Sequence, residues 1–297
     1  MASPVTVVFA RCRDVAPGGS SAELARHGFD FLVYQKRPCN TSTADRARLE
    51  LAKLERLGRV VGLDHNRGDE CSVYLRFIVD HYDRLPDVSA FLQYGAERQL
   101  ILPSAFAAVN ATLGATRKHG FASLSRHSFE GSWPAPCEPA QAQSKFMKCS
   151  TQVWRDLGVA PPPSFRFYAN GLFAVTRERI RARPRAFYAA MLGRLSGKDP
   201  ARCSDGPDTR ASRGSQRAAR VGDCHVLEKA WHVLFGEPAT LAPPHLYNAW
   251  RAPDRALRLG GRFYETKPRG KCEAGIPPGE IGEADAMADA RRHPGRR

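Results

Sequence analysis

Short apolar runs alternate with longer amphipathic stretches along most of this chain. "VTVVF" at 5–9 is rich in β-branched residues, which suit a pleated strand, and a Gly/Ser/Pro turn follows at 17–21. "FDFLVYQK" at 29–36 and "RVVGL" at 59–63 read as the second and third strands. Between them Leu49, Leu51, Leu54 and Leu57 recur among charges over 44–58, and Gly58 ends this amphipathic helix. Over 70–85 Val73, Tyr74, Phe77, Ile78, Tyr82 and Leu85 recur at helical spacing, with Arg76, Asp80, Asp83 and Arg84 on the other face. Pro86 stops that helix and "VSAFLQ" at 88–93 is a fourth strand. A helix is expected after Pro103, then a strand in "GFASLS" at 120–125, a long Pro/Ser/Gln-rich loop over 128–148 and a short helix over 150–158. "SFRFYANGLFAVTRERI" at 164–180 reads as strand, glycine turn, strand and helix start. Helices are expected over 183–195, opened by Pro184, and over 224–236, closed by Gly236.

Strands alternating with helices predict an α/β fold, a single domain with a mostly parallel sheet flanked by helices. The 297 residues suit one domain over 1–265, with a mobile insertion at 197–222 and a flexible basic tail over 266–297. The segments "VTVVF", "FLVY", "RVVGL" and "AFLQ" are expected in one sheet. Ligands of such sheets bind beyond the carboxyl ends of the strands. Lys36 ends the second strand there and Gln93 the fourth. The loop after the third strand carries Asn66, Arg67, Gly68, Asp69 and Glu70 to the mouth of a helix, whose free N–H groups attract anions. Asn66 or Asp69 acting as an N-cap accounts for one of these polar residues. Substrate contacts from Asn66, Arg67 and Glu70 account for the cluster.

Charge adds a second theme. The formal net charge is +15, part of it in "RERIRARPR" at 177–185 and "RASRGSQRAAR" at 210–220. Arginine clusters suit phosphate-bearing partners through the forked guanidinium, and also make a solvated surface. No nucleic-acid reading motif accompanies them, so no specific nucleic-acid partner is expected. No apolar stretch reaches the roughly 20 residues of a membrane span. The first strand begins almost at the terminus, which leads to a cytoplasmic expectation, or a secretory or Golgi lumen for a chain trimmed from an anchored protein. The eight cysteines form no Cys-x-x-Cys pair, which argues against a zinc ribbon. Their even number and the sequons at Asn40 and Asn110 suit an oxidising lumen.

One further pair carries chemistry. Glu228 and His232 stand four apart on one helical face beside Trp231. A carboxylate with a nearby imidazole suits general-base work on a hydroxyl, and equally an internal hydrogen-bonded pair.

The blocks "FLVYQK" at 31–36, "NRGDECSVYLRFIVDHYDRLPDVSAFLQ" at 66–93, "FYANGLFAVTRERIRARPRAFY" at 167–188 and "VLEKAWHVLFG" at 226–236 resemble the family called domain of unknown function 3431, known from fungi and algae. That family is in turn remotely similar to GT-A-type glycosyltransferases. The resemblance lies in Gly171, Phe173, Val175 and Arg177, with Glu228 as the later acidic residue. It implies a nucleotide-sugar donor, a glycan or other hydroxyl acceptor, a catalytic role for Glu228 and a substrate contact from Arg177. Position at the carboxyl edge adds Lys36, Asn66, Arg67, Glu70 and Gln93 as substrate contacts, and the i,i+4 pairing adds His232 to the catalytic pair. Such enzymes hold a divalent metal, Mn or Mg, on an Asp-x-Asp motif. Here Gln93, Tyr94 and Gly95 stand in that place, and an amide is a poor ligand for a hard cation. A metal-independent enzyme would need cationic side chains there instead, for which Arg67, Arg98 and Arg177 are candidates. The alternative reading is a non-catalytic glycan- or nucleotide-binding protein on the same fold.

Overall fold

The computed structural model describes residues 4–11, 20–36, 54–56, 59–63, 69–125, 128–132, 152–160, 164–196, 223–238 and 267–268. Its centre is a six-stranded sheet. Strands β1 (Val5–Arg11), β2 (Asp30–Lys36), β3 (Val60–Leu63) and β4 (Val88–Gln93) run parallel, as their apolar runs predict. β5 (Phe121–Ser123) and β8 (Phe173–Thr176) complete the sheet in the order β3-β2-β1-β4-β8-β5, with β8 antiparallel to both neighbours. The α/β expectation and its four-strand parallel core therefore hold.

Helices cover both faces. Helices α1 (Ser20–Arg26) and α3 (Ala105–His119) lie on the face carrying Val7, Phe9, Val33, Ala90 and Leu92. The other face carries Val8, Tyr34, Phe91, Phe173 and Val175. It packs on α2 (Asp69–His81), a short helix α4 over 152–157, α6 (Arg185–Ser196) and α7 (Asp223–Leu234). Alternation along each strand sends successive side chains to opposite faces, which is why two separate apolar clusters form.

Helix α3 shows how local chemistry sets its ends. Ser104 accepts from the Ala107 N–H at 3.1 Å as N-cap, and Gly120 closes the helix at φ 85° with its N–H on Thr116 O. A Cβ at Gly120 would also fall 2.4 Å from Arg179 Nε, so glycine is required twice over.

The 128–148 region corrects one expectation. Its first five residues form strand β6 (Ser128–Ser132), paired antiparallel with β7 (Ser164–Tyr168) in a separate three-stranded sheet completed by β9 (Lys267–Pro268). Phe129 is the sole apolar side chain in "SFEGS", so no periodicity announced a strand. The expected insertion at 197–222, nearly all of the basic tail and most of the 44–58 helix lie outside the described residues.

The arginine run at 177–185 is largely engaged within the fold. Helix α5 (Arg177–Arg181) and the turn after it supply donors to carbonyls at other chain reversals. Arg179 reaches His119 O at 3.0 Å, Phe235 O at 3.3 Å and Gly236 O at 3.4 Å, and its partner carboxylate is Glu237. Arg181 donates to Tyr82 O and Asp83 O, and Arg183 to Leu234 O and Leu157 O, both at 3.0 Å. These are carbonyls at or just beyond helix C-termini, which lack intrahelical donors and carry partial negative charge. The guanidinium fork satisfies several at once.

Candidate functional site at the carboxyl edge

The parallel strands end at Arg11, Lys36, Leu63 and Gln93, and α2 begins just after β3. Because β8 runs antiparallel, the turn that leads into it sits at this same edge. That turn, Ala169–Gly171, holds Asn170 at φ 69° and Gly171 at φ 56°. Asparagine tolerates the left-handed region better than most non-glycine residues, and "NG" is a common pair there.

Two side chains grip the turn from opposite sides. Gln93 Nε2 donates to Asn170 O at 3.0 Å. Glu228 Oε1 accepts from the Asn170 N–H at 2.5 Å. Next to them Gly171 lies so close to α7 that a Cβ there would stand 3.3 Å from Trp231 Nε1 and 3.7 Å from Glu70 Oε1. Residues from β4, the start of α2, the β7–β8 turn and α7 thus meet within one small volume.

A narrow cleft opens beside this turn. It is lined by Phe121, Ser123, Tyr168, Gly171, Leu172, Phe173, Glu228, Trp231 and His232 and leaves ≈ 10 Å³ of free space, about what one water molecule needs. Its lining is rich in aromatic residues, and the polar groups these residues carry are two hydroxyls (Ser123 and Tyr168), a carboxylate, an imidazole and an indole N–H. Trp231 is 2% exposed, and its Nε1–H has no hydrogen-bond partner among the described residues. The same holds for the Tyr74 hydroxyl on α2. Burial pushes the Tyr74 pKa well above its usual value, and the Glu70 and Glu228 charges push it further, so this phenol stays neutral at all ordinary pH.

Beneath the two glutamates a disulfide joins Cys71 to Cys224, across a sequence separation of 153. Cys71 directly follows Glu70, and Cys224 precedes Glu228 by one helical turn. The bond therefore ties together the two helices that carry these carboxylates. Glu70 and the two sulfurs lie within 4.8 Å of one another, the geometry of a metal-ligand group. As a disulfide the sulfurs are not thiolates, and one carboxylate alone makes a poor cation site.

The residues expected from the sequence distribute as follows. Gln93, Glu70, Glu228 and His232 converge around the Ala169–Gly171 turn and its cleft. Lys36 sits at the same edge but two strands from β4, 2% exposed and in register with Leu63 on the face covered by α2. Asn66 and Arg67 lie outside the described residues, and Arg98 is exposed just beyond β4. Arg177 does not reach this edge. It follows Thr176, which pairs with Val88 at the other end of β4, about 16 Å away at strand rise. There it is ion-paired with Asp87 and donates to Pro86 O, so its role is to anchor the start of β4.

Sequence reasoning passed over Asn170, the Trp231 indole N–H and the Cys71–Cys224 pair. The "NG" dipeptide was a usable signal for the first. Nothing in spacing could select this pair among eight cysteines, which allow 105 connectivities.

A mixed sheet covered by helices on both faces, with polar side chains gathered at the carboxyl edge, defines a single-domain α/β protein with a cleft at a topological reversal. Over residues 58–247 the chain matches the family described as protein of unknown function (DUF3431), and it belongs to that family. No curated protein matches it.

Proposed function

We propose that this protein is a glycosyltransferase-like enzyme that moves a sugar from a nucleotide-sugar donor to a hydroxyl acceptor. The observation that carries the reading is the convergence of Glu228 and His232, from one face of α7, on a cleft whose wall is the turn held by Gln93. Glu228 acts as general base toward the acceptor hydroxyl and His232 supports it. Glu70 and Gln93, with Asn66 and Arg67 just before α2 in the sequence, hold the donor, and the buried Lys36 adds positive charge at the same sheet edge. A divalent cation, Mn or Mg, would have to be brought largely by the donor diphosphate. The Cys71–Cys224 bond supports an oxidising secretory or Golgi lumen as the working compartment over the cytosol.

A thermal-shift screen with nucleotides and nucleotide sugars, with and without Mn²⁺, tests the donor half. A ligand at 100 times its Kd stabilises the fold by about 2.7 kcal/mol. Glu228→Gln keeps the shape and an oxygen for the Asn170 N–H, so turnover should fall by about 10²–10⁴-fold with donor binding retained. A protein stabilised by no nucleotide sugar would end this reading.

The second reading is a non-catalytic glycan- or nucleotide-binding protein. It is favoured by one observation, the engagement of both Gln93 and Glu228 with the Asn170 backbone. On that reading Glu228→Gln loses stability and binding together, with no turnover to lose.

A further inference from the structure

The cleft beside Gly171 combines three features. Its free space admits about one oxygen atom. Trp231 lines it, and its buried Nε1–H, 3.3 Å from where a Cβ on the lining residue Gly171 would stand, has no hydrogen-bond partner among the described residues. A carboxylate, Glu228, lies one helical turn before it on the same helix and lines the same cleft. A buried donor left without an acceptor is costly, by about 1–3 kcal/mol. Such a group is retained where an acceptor arrives from outside or where water fills the gap.

The chemistry of the walls selects that acceptor. A phosphate or carboxylate would meet the Glu70 and Glu228 carboxylates at close range, since Gly171 lies beside the first and Asn170 is bonded to the second. A cation would meet the wrong end of the indole dipole. The fitting group is neutral, accepts one hydrogen bond and donates another. That is an alcohol. Phe121, Tyr168 and Phe173 also line the cleft, and aromatic rings suit the C–H edges of a sugar ring. Gly171 keeps the approach open, because a Cβ there would stand 3.3 Å from the indole nitrogen.

We propose that Trp231 Nε1–H is the donor that seats a single secondary hydroxyl of a carbohydrate in this cleft, and that the hydroxyl in turn donates its hydrogen to the Glu228 carboxylate. This deepens the glycosyltransferase-like reading and rests on it. The hydroxyl oxygen is held by the indole while its proton faces the base. Trp231 is thus a substrate-binding residue for a carbohydrate hydroxyl, and the neighbouring Glu70 and Glu228 carboxylates disfavour an anionic group in its place.

The test is the indole N–H resonance of Trp231 in the full-length protein. With four tryptophans, ¹⁵N-indole labelling gives four such signals. Trp231→Phe identifies one by its disappearance. Should that variant fail to fold, Trp133→Phe, Trp154→Phe and Trp250→Phe assign the other three and leave Trp231. The probes are methyl glucoside, methyl galactoside and methyl mannoside in both anomers, with inorganic pyrophosphate as the anionic control. The expected result is a saturable downfield shift of the Trp231 signal with at least one glycoside, absent with pyrophosphate. Glu228→Gln should weaken the apparent affinity by about tenfold through loss of one charge-assisted bond. A glycoside that moves other resonances but leaves the Trp231 N–H in place overturns the inference while the broader reading stands. A protein that responds to no glycoside overturns the inference together with the acceptor half of that reading.

Discussion

Removing the Cys71–Cys224 disulfide tests whether the two carboxylate-bearing helices are tied together chiefly through the unfolded chain. The bond closes a loop of 153 residues. In the chain-entropy model the denatured ensemble regains about 2.1 + 1.5R ln n cal/mol/K when a loop of n residues is opened, about 5 kcal/mol at this length and 25 °C. The double variant Cys71→Ala/Cys224→Ala isolates this bond, whereas a reductant would act on every disulfide in the chain. Both positions are buried, at 0% and 2%, so losing the sulfurs adds up to a further ~1 kcal/mol of packing. The midpoint should fall by about 10–20 °C at 2–4 °C per kcal/mol. In urea unfolding the m-value should rise, because a chain without the cross-link exposes more surface when it unfolds. A double variant within about 1 kcal/mol of the parent, with m unchanged, would refute the entropic account. It would leave the α2–α7 packing as the source of stability there.

The other predictions concern the framework around the site. Arg179→Lys should cost about 2–4 kcal/mol by chemical denaturation, since an ammonium cannot fork across His119 O, Phe235 O and Gly236 O, and Arg179→Ala should cost no less. Tyr74→Phe should leave stability unchanged or raise it by up to ~1 kcal/mol, because the hydroxyl is buried with no partner among the described residues; a loss above 1 kcal/mol would reveal one. Burial, with help from Arg84 and against Asp80, holds the His81 pKa below 6.5, so the folded state binds fewer protons than the unfolded one in that range. Stability should therefore be full above pH 6.5 and fall as pH drops below it, and His81→Gln should flatten that part of a stability–pH curve.

What the sequence disclosed and what it withheld divide along physical lines. The strand and helix signals in "VTVVF", "FLVY" and the 70–85 heptad-like stripe were legible because one buried face repeats with the period of its element. β6 was not, since its stability comes from pairing with β7 rather than from its own apolar content. Gln93, Glu70, Glu228 and His232 were legible as candidates from strand ends, a helix mouth and an i,i+4 face. Arg177 misled. Its place at a strand-to-helix junction resembles that of an anion-binding residue, but an antiparallel strand delivers that junction to the amino edge of its neighbour. Direction within the sheet is a long-range property that no local pattern carries.

That reversal is also what builds the site. A parallel strand beside β4 would begin at the amino edge, and its leading turn would lie far from Gln93. Antiparallel β8 begins at the carboxyl edge, so the Ala169–Gly171 turn arrives where the parallel strands end. Glycine at 171 then lets α7 approach closely enough for Trp231 to sit against the backbone. The Arg179 and Arg183 bonds to Phe235 O and Leu234 O hold the far end of α7, and the disulfide holds its near end. A helix fixed at both ends presents Glu228 and Trp231 with little freedom to move, which is the condition for a cleft the size of one hydroxyl to discriminate among ligands.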